Sequence, residues 1–341
     1  MRFGVGILLA TLAVTAGSAC AEKSFNDFPG LAGLERTILT SADGDRLDLI
    51  GYTSHERLPA IVMIPGSLCA PLFAALDKDP PGEAFATVPL LSEKDRKALN
   101  SHVIYLERRN VVSLETMASA PEFTIEQIFK LSPCTERNGG ITLEHRVNDV
   151  LVQVRWLKQQ NWVDSIHLVG VSEGADVASG VAASEGSPVD SLMLIGGAGP
   201  TQFFDSAAFA RQQNDLKAVK ATFSELDQFL SLSPPASYKG YSSERWQSFA
   251  IDHTPLDLLS KSAVPLFIAH GDQDENVPIA SADLAAIELM RRQPQRAIYY
   301  WSVVGGDHML KTPTGRRLGD AIIQYSSWAT SRPTGRTFRA D

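Results

Sequence analysis

Basic residues are the minority among the charges of this sequence, which has 31 lysines and arginines against 39 aspartates and glutamates in 341 residues. No stretch concentrates positive charge, and the net charge at pH 7 is -8. A protein whose main partner is nucleic acid usually presents a basic patch to the phosphates. The lack of a basic block therefore argues against nucleic acid as the main partner.

Cysteine is also scarce, since the chain has only Cys20, Cys69 and Cys134. No cysteine and histidine cluster has the spacing of metal ligands, and the sequence implies neither a metal nor an organic cofactor. Cys69 and Cys134 remain if the first 21 residues are removed. Two leftover thiols in an oxidising compartment often pair. The pair is therefore either one disulfide or two buried free thiols.

Residues 1–21 have the three parts of an export signal. Arg2 supplies the positive start, residues 5–14 the apolar centre, and Ala19-Cys20-Ala21 a small-residue cleavage site. The apolar run is too short to span a bilayer comfortably. We predict a signal peptide, a periplasmic or secreted protein, and no integral membrane segment once the signal is removed. Lipid attachment at Cys20 is the alternative, although Gly17 stands where such signals usually carry Leu or Val.

Apolar runs typical of buried strands alternate with helical patterns along most of the chain. A hairpin at residues 35–52 precedes strand patterns at 58–64, 102–106, 166–171, 191–195, 264–270 and 297–303. This alternation predicts an α/β fold, with a mostly parallel sheet and helices on both faces.

One segment breaks the alternation. Residues 200–262 mix helical stretches with prolines and aromatic residues, which predicts a helical cap between the sixth and seventh strands. The core would then comprise residues 22–199 and 263–330. Residues 331–341 read as a flexible tail.

The strand pattern at residues 166–171 runs into a G-x-S-x-G pentapeptide, Gly170-Val171-Ser172-Glu173-Gly174, and then into a helical pattern. A serine on such a strand-to-helix turn projects its hydroxyl clear of the sheet. The residues two before and two after it must be small, because side chains there would collide as the strand reverses into the helix. Ser172 is thus a candidate nucleophile, and the alternative is an ordinary serine on a glycine-bounded turn.

A serine hydroxyl needs a base, an orienting acid and donors for negative charge before it can attack an acyl carbon. Two later strand patterns end in candidates. One leads into H-G-D-Q-D-E-N-V-P, which contains Asp272 and Asp274, and the last leads into G-G-D-H, which contains His308. Ligands of parallel sheets bind beyond the carboxyl ends of the strands, where these residues would meet. Each could instead be an ordinary loop residue.

Four places in the chain together resemble the α/β-hydrolase superfamily of serine esterases and peptidases. They are the pentapeptide, the Pro65-Gly66-Ser67 turn, the H-G-D-x-D-x-x-V-P segment and the terminal G-x-x-H, in the family's order. The flanking strand and helix pattern covers residues 35–328. The resemblance implies that Asp274, not Asp272, is the acid that holds His308. Reach favours the same choice, because an acid directly after a strand tends to bind its own turn.

The resemblance also implies an oxyanion hole built from backbone N–H groups. Glu173 would supply one donor and Ser67 the other, with Leu68 as the alternative, because this chain has Pro65-Gly66 where the family often has His-Gly. Arg108 and Arg109 follow the strand pattern at residues 102–106. They could hold an acidic substrate group, but we expect them to brace loops through carboxylates such as Glu107.

The function implied is that of an exported serine hydrolase. It would cleave carboxylic esters through a Ser-His-Asp triad and an acyl-enzyme, and its substrate would be a small-molecule ester or a short peptide. A prolyl-type serine peptidase or a thioesterase is the alternative within enzymes, since the same triad cuts amides and thioesters. A binding protein that keeps the fold without catalysis is the alternative outside them.

Overall fold

A nine-stranded sheet organises the part of the chain that the computed structural model describes, which is residues 25–27, 31–67, 71–76, 83–86, 91–111, 113, 141–231, 235–238 and 241–341. The strands of the structure are β1 (Glu35–Thr40), β2 (Arg46–Tyr52), β3 (Leu58–Ile64), β4 (Phe73–Leu76), β5 (Glu83–Ala86), β6 (His102–Leu106), β7 (Val163–Val171), β8 (Ser191–Ile195), β9 (Ser237–Tyr238), β10 (Tyr241–Ser242), β11 (Leu266–Gly271), β12 (Ile298–Val303), β13 (Lys311–Thr312), β14 (Gly315–Arg316) and β15 (Arg336–Ala340). The helices are α1 (Glu93–Leu99), α2 (Leu143–Lys158), α3 (Glu173–Ala183), α4 (Gln202–Gln212), α5 (Leu216–Leu230), α6 (Ser243–Trp246), α7 (Pro255–Ser260), α8 (Ile279–Arg292) and α9 (Leu318–Thr330), with a 3₁₀ turn at Phe25–Asp27 and a π-helical turn at Gln247–Asp252.

The large sheet has the order β1-β2-β6-β3-β7-β8-β11-β12-β15. Strands β1, β2 and β6 pair antiparallel, and from β6 onward the neighbouring strands pair parallel. The α/β class and the mostly parallel sheet predicted from the sequence are thus confirmed.

Helices cover both faces of this sheet, because its central strands are apolar on both sides. Side chains alternate along β3: Ala60 and Val62 pack into one core, whereas Ile61 and Met63 pack into the other. Helices α2, α3 and α8 bury apolar side chains in the first core, and α1 and α9 bury theirs in the second. This two-sided burial explains the continuous apolar runs in the sequence.

The register of the parallel strands brings several strand ends to one edge of the sheet. Val171 pairs with Ile195, which pairs with Ala269, and Gly271 pairs with Val303. The loops that follow β7, β8, β11 and β12 therefore start side by side. All the candidate residues in the later part of the sequence lie in these loops.

Between β8 and β11, the sixth and seventh strands of the large sheet, lies a mostly helical segment from Gln202 to Ser260, called here the inserted segment. Its own small core is aromatic, with Phe203 and Phe229 at a centroid distance of 5.8 Å and Tyr238 and Trp246 at 4.9 Å. Thr201, just before the segment, donates a hydrogen bond of 2.7 Å to the Ala250 carbonyl and so ties the start of the segment to its π-helical turn.

The end of the chain differs from the flexible tail that the sequence predicted for residues 331–341. Residues Arg336–Ala340 form β15, which pairs parallel with β12 at the edge of the sheet. The Trp301 indole N–H donates to Asp341 at 2.7 Å, and the Arg339 guanidinium lies over the Trp301 ring at 4.1 Å. The strand is mostly exposed, so its sequence lacks the apolar run that marks the buried strands.

Residues 1–21, Leu68, Cys69 and Cys134 lie outside the described residues, so the signal peptide and the disulfide remain predictions. Among the residues that are described, none of the helices is long and apolar enough to cross a membrane.

Candidate active site

Ser172 stands on a sharp turn between β7 and α3. Its backbone has φ 55° and ψ -126°, a conformation that non-glycine residues adopt only when their surroundings impose it. A Cβ on Gly170 would overlap the Gly174 carbonyl oxygen, and a Cβ on Gly174 would overlap the Ile64 carbonyl oxygen. The two flanking glycines are therefore required by contact, as the sequence indicated. The turn leaves Ser172 at the start of α3, where the helix N–H groups are unpaired.

Asp274 and His308 are in direct contact. The His308 Nδ1 atom lies 2.8 Å from Asp274 Oδ2. The other carboxylate oxygen, Oδ1, accepts the backbone N–H groups of Asn276 at 2.8 Å and Val277 at 2.9 Å. Burial alone would raise the pKa of Asp274, but hydrogen bonds from His270 and His308 outweigh it and hold that pKa well below its usual range. The carboxylate is thus ionised and oriented.

His308 also lies next to the end of β8, close to Ser172. The Ser172 N–H donates to the Ile195 carbonyl at 2.8 Å, and Gly196 follows directly. A Cβ on Gly196 would come within 2.7 Å of His308 Cε1, so the imidazole packs against bare backbone there. Ser172 and His308 line the same cleft.

Asp272 is held elsewhere. Its Oδ1 accepts the Gly305 N–H at 2.7 Å, which ties the loop after β11 to the loop after β12. Asp274 is therefore the acid in contact with His308, but for a different reason than its reach past the turn. Asp274 is the acid that binds its own turn, and it spans to His308 with its second oxygen. Asp272 is the one that reaches the neighbouring loop, through its bond with Gly305.

His270 supports the same loop. Its Nε2 lies 2.9 Å from the Val277 carbonyl oxygen and 3.3 Å from Asp274 Oδ2, and the side chain is fully buried. The loop that carries Asp274 is thus held by the buried histidine of β11.

A cleft of about 630 Å³ opens at this edge of the sheet and is lined by Ser172, His308, Gly66 and Ser67. The inserted segment contributes aromatic side chains to the same lining: Phe203, Phe209, Tyr238, Tyr241, Trp246 and Phe249. Gly66 packs directly on the candidate nucleophile, since a Cβ there would lie 3.0 Å from Ser172 Cβ. In the part of the chain that the structure describes, histidine, cysteine and acidic side chains form no group of three that could hold a metal ion.

No protein-family profile and no curated protein matches this chain. Solved structures do match. An α/β hydrolase from Penicillium sp. sh18, GrgF, is similar with a TM-score of 0.51 at 13% identity, over 88% of this chain and 98% of GrgF. An esterase from Pyrococcus furiosus is similar with a TM-score of 0.51 at 13% identity, over 89% of this chain and 92% of the esterase. The chain has the α/β-hydrolase fold. An acylaminoacyl peptidase from Pyrococcus horikoshii matches 90% of this chain with 42% of its own length, with a TM-score of 0.50 and 11% identity.

In this α/β-hydrolase fold, the residue after the candidate nucleophile has an unusual environment. The buried Glu173 carboxylate contacts three guanidiniums, those of Arg108, Arg146 and Arg245. Burial alone would raise the pKa of Glu173, but the three arginines outweigh it and lower that pKa to about 2. Arg245 belongs to the inserted segment and also lies over the Tyr241 ring at 4.0 Å. Glu173 thus joins the turn at Ser172 to three other parts of the fold.

Arg108 and Arg109 brace loops, as expected, but Glu107 is not their side-chain partner. The Glu107 carboxylate accepts the Leu72 N–H at 2.8 Å and the Ser113 hydroxyl at 2.6 Å, and it accepts the backbone N–H of Arg108 at 3.1 Å. Successive side chains at a strand end point to opposite sides, which separates the Arg108 guanidinium from the Glu107 carboxylate.

Two further acids of the α/β-hydrolase fold line the cleft and were not found from the sequence. Burial, with Glu173 and Asp205 nearby, raises the pKa of Asp176 well above its usual value. Burial also raises the pKa of Asp205 to about 6, and the Ser281 hydroxyl donates to its Oδ1. Asp176 could have been found, because it lies four residues after Ser172 and so on the same face of α3.

Arg146 could also have been recognised from the sequence. It occupies the face of α2 that carries Leu143, Val150 and Leu157, where a charged residue is out of place unless it has a buried partner. Arg245 could not, since 72 residues separate it from Glu173.

Proposed function

We propose that this chain is an exported serine hydrolase that cleaves carboxylic esters, with Ser172 as nucleophile, His308 as base and Asp274 as the acid that orients it. The observation that carries the proposal is the 2.8 Å contact between His308 Nδ1 and Asp274 Oδ2 in the cleft that Ser172 lines. An ionised Asp274 holds the proton of His308 on Nδ1, which leaves Nε2 free to accept another. That is the tautomer a base needs.

In the first step, Ser172 Oγ attacks the acyl carbon while His308 Nε2 takes the hydroxyl proton. The carbonyl π pair moves to oxygen and forms a tetrahedral oxyanion, which the N–H groups of Glu173 and Ser67 bind. As the oxyanion collapses, the ester C–O bond breaks and His308 returns its proton to the leaving alkoxide. The products are an alcohol and an acyl-Ser172 ester.

In the second step, water replaces the alcohol and the same groups repeat their roles. His308 Nε2 takes a proton from water as its oxygen attacks the acyl-enzyme, and it then protonates Ser172 Oγ as that group leaves. Asp274 stays ionised throughout and stabilises the imidazolium that forms twice. Atoms balance as one ester plus one water giving one acid and one alcohol.

The lining of the cleft favours an apolar substrate group. Aromatic side chains from the inserted segment dominate the wall beyond Ser172. Burial of an apolar acyl or alcohol group there would release water at roughly 25 cal/mol for each Å² of apolar surface. Esters of this kind also have better leaving groups than amides.

One observation favours the second candidate, a prolyl-type peptidase. Asp176 and Asp205 are acids in the same cleft, and an acid pair is the group that would hold a free amino terminus. A bound ammonium would let both carboxyls ionise in spite of their burial.

A substrate panel separates these candidates. Hydrolysis of p-nitrophenyl acetate, an acetyl thioester and a prolyl p-nitroanilide is measured in parallel, with Ser172→Ala as the control. We expect kcat/KM for the ester to exceed that for the amide, and each rate to vanish in Ser172→Ala. A larger kcat/KM for the prolyl amide, lost in Asp176→Asn, would establish the peptidase instead. Activity that survives Ser172→Ala would contradict the proposed role of Ser172.

Export is part of the proposal and has its own test. The intact mass of protein from the exported fraction should correspond to a chain that begins at Glu22, after cleavage behind Ala21. A mass that retains residues 1–21, or that carries a diacylglycerol on Cys20, would contradict this cleavage.

A further inference from the structure

Two arginines hold the turn before Ser67 and the residue after Ser172 at the same time. Arg108 donates through Nη2 to the Gly66 carbonyl and to Glu173 Oε1, the latter at 3.1 Å. Arg146 donates through Nη2 to the Pro65 carbonyl at 3.1 Å and through Nη1 to Glu173 Oε1. Both guanidiniums therefore connect the two segments from which the proposed oxyanion donors come.

The contact at Gly66 fixes the direction of the next N–H group. The carbonyl of Gly66 and the N–H of Ser67 belong to one planar trans peptide, so they point to opposite sides. When Arg108 holds the carbonyl on its own side, the Ser67 N–H must point away from Arg108. The positively charged guanidinium bound to the carbonyl oxygen also polarises the peptide and strengthens its N–H as a donor.

The contact at Glu173 fixes the second donor. Glu173 is the first residue of α3, so its N–H has no partner within that helix. Its side chain is held by guanidiniums from the loop after β6, from α2 and from the inserted segment. A residue anchored on three sides has little freedom to rotate its backbone.

We propose that Arg108 is a positioning residue for the oxyanion hole, which sets the Gly66–Ser67 peptide and Glu173 at a fixed separation, with Arg146 as its partner. This inference rests on the proposed function. The three guanidiniums share one carboxylate, so the cluster also leaves excess positive charge behind both donors. Such charge is preorganised for the negative oxygen that develops in the transition state, and it reorganises little during the reaction.

Arg109 provides a matched control. It is the next residue, and it is as buried as Arg108, with side chains at 8% exposure in both cases. Its guanidinium binds Asp149, Asp43 and Asp45 rather than Glu173 or the carbonyls of the turn at residues 65–67. If kcat depended only on having a buried arginine, substitution of either residue would lower it. If it depends on the contact with the turn, only substitution of Arg108 will lower it.

The first measurement reads the peptide itself and needs no substrate. Labelling glycine with ¹³C at the carbonyl and serine with ¹⁵N selects Gly–Ser peptides, of which the chain has those at 17–18, 66–67 and 186–187. The Ser67 signal is assigned by its loss in Ser67→Ala. We expect Arg108→Ala to shift the Ser67 signal and leave that of Ser187 in place, and Arg109→Ala to shift neither.

The second measurement reads catalysis with an ester whose hydrolysis Ser172→Ala abolishes. We expect Arg108→Ala to lower kcat roughly 10- to 100-fold with little change in KM, because the contact acts on the transition state. Arg109→Ala should lower the melting temperature but keep kcat within about twofold of the wild type. If Arg108→Ala does not fold, Arg108→Lys replaces it. Lysine keeps the charge but lacks the forked donors of the guanidinium, so this variant should show a smaller shift of the Ser67 signal and a smaller loss of kcat.

The outcomes are distinct. An unmoved Ser67 signal, or equal losses of kcat in the two variants, would overturn the positioning role. A shifted Ser67 signal in a protein that has no Ser172-dependent hydrolysis would support the positioning of the peptide and reject the proposed function.

Discussion

Two groups of buried polar side chains in the central sheet differ in charge, one at the carboxyl edge and one toward the amino edge. At the carboxyl edge, Asp274 and Glu173 are ionised, each held by cationic or hydrogen-bonding partners that offset the cost of burial. Toward the amino edge, His167 Nδ1 lies 2.7 Å from Ser191 Oγ, which lies 2.7 Å from the Tyr325 hydroxyl. Burial lowers the pKa of His167 and raises that of Tyr325, so both stay neutral.

This difference separates two uses of burial. A neutral hydrogen-bonded chain satisfies its donors and acceptors at little cost and can hold strands and helix together. Buried charges cost several kcal/mol each unless they are paired, and replacement by apolar residues is often neutral or stabilising. Their concentration around Ser172 is therefore evidence for chemistry at that edge more than for stability.

The largest expected effect is on turnover at the charged edge. Asp274→Asn should lower kcat for ester hydrolysis by up to ~10⁴-fold at neutral pH, because an amide favours the wrong imidazole tautomer of His308. Asp272→Asn is the matched control. Asp272 lies two residues before Asp274, and its carboxylate accepts the Gly305 N–H instead of contacting His308. This variant should lower the melting temperature more than kcat. If Asp272→Asn loses the activity and Asp274→Asn keeps it, the assignment of the acid is wrong.

A large effect on stability is expected at Glu173. Glu173→Gln leaves three guanidiniums in the fold without their shared carboxylate, which should lower the free energy of unfolding by roughly 3–5 kcal/mol. Urea titration measures it, and Glu144→Gln, which removes a half-exposed partner of His253, is the control with a far smaller effect. Equal losses of unfolding free energy in the two variants would show that the buried cluster is worth no more to stability than an exposed ion pair.

The pH dependence of the free energy of unfolding distinguishes the buried Asp205 of the cleft from an exposed carboxyl. Burial raises the pKa of Asp205 to about 6, above its usual 3.8, so the folded state binds the proton more tightly than the unfolded state. Its contribution is fully present below pH 4 and is lost as pH rises through 6, an effect of about 3 kcal/mol. Asp205→Asn should therefore stabilise the protein relative to wild type at pH 8 and not at pH 4. An equal difference at both pH values would refute the raised pKa.

The smallest effect is expected at the neutral group of His167, Ser191 and Tyr325. Ser191→Ala removes the hydroxyl between His167 and Tyr325 and should lower the free energy of unfolding by about 1–3 kcal/mol, with kcat unchanged. Denaturant titration and steady-state kinetics on the same samples measure both. A loss of kcat as large as that of Asp274→Asn would contradict the separation of this neutral group from the charged one.

The sequence revealed the parts of the site whose geometry is local. Ser172, Asp274 and His308 each lie within five residues of the end of a strand pattern, and the register of a parallel sheet brings such positions together. The arginines around Glu173 could not be found in this way, because Arg245 reaches Glu173 across 72 residues and only packing brings them into contact. Strand β15 was missed for a different reason: its side chains are mostly exposed at the sheet edge, so it lacks the apolar pattern of a buried strand.

Covalent labelling tests the central claim, that Ser172 is a nucleophile activated by His308 and Asp274, more directly than turnover does. A fluorophosphonate reacts with a serine that has such a base and an oxyanion hole, and peptide mass spectrometry locates the adduct. The account predicts one adduct per chain, on Ser172, with labelling abolished in Ser172→Ala and much slower in Asp274→Asn. An adduct on another residue, or a folded wild-type protein that stays unlabelled, would contradict it.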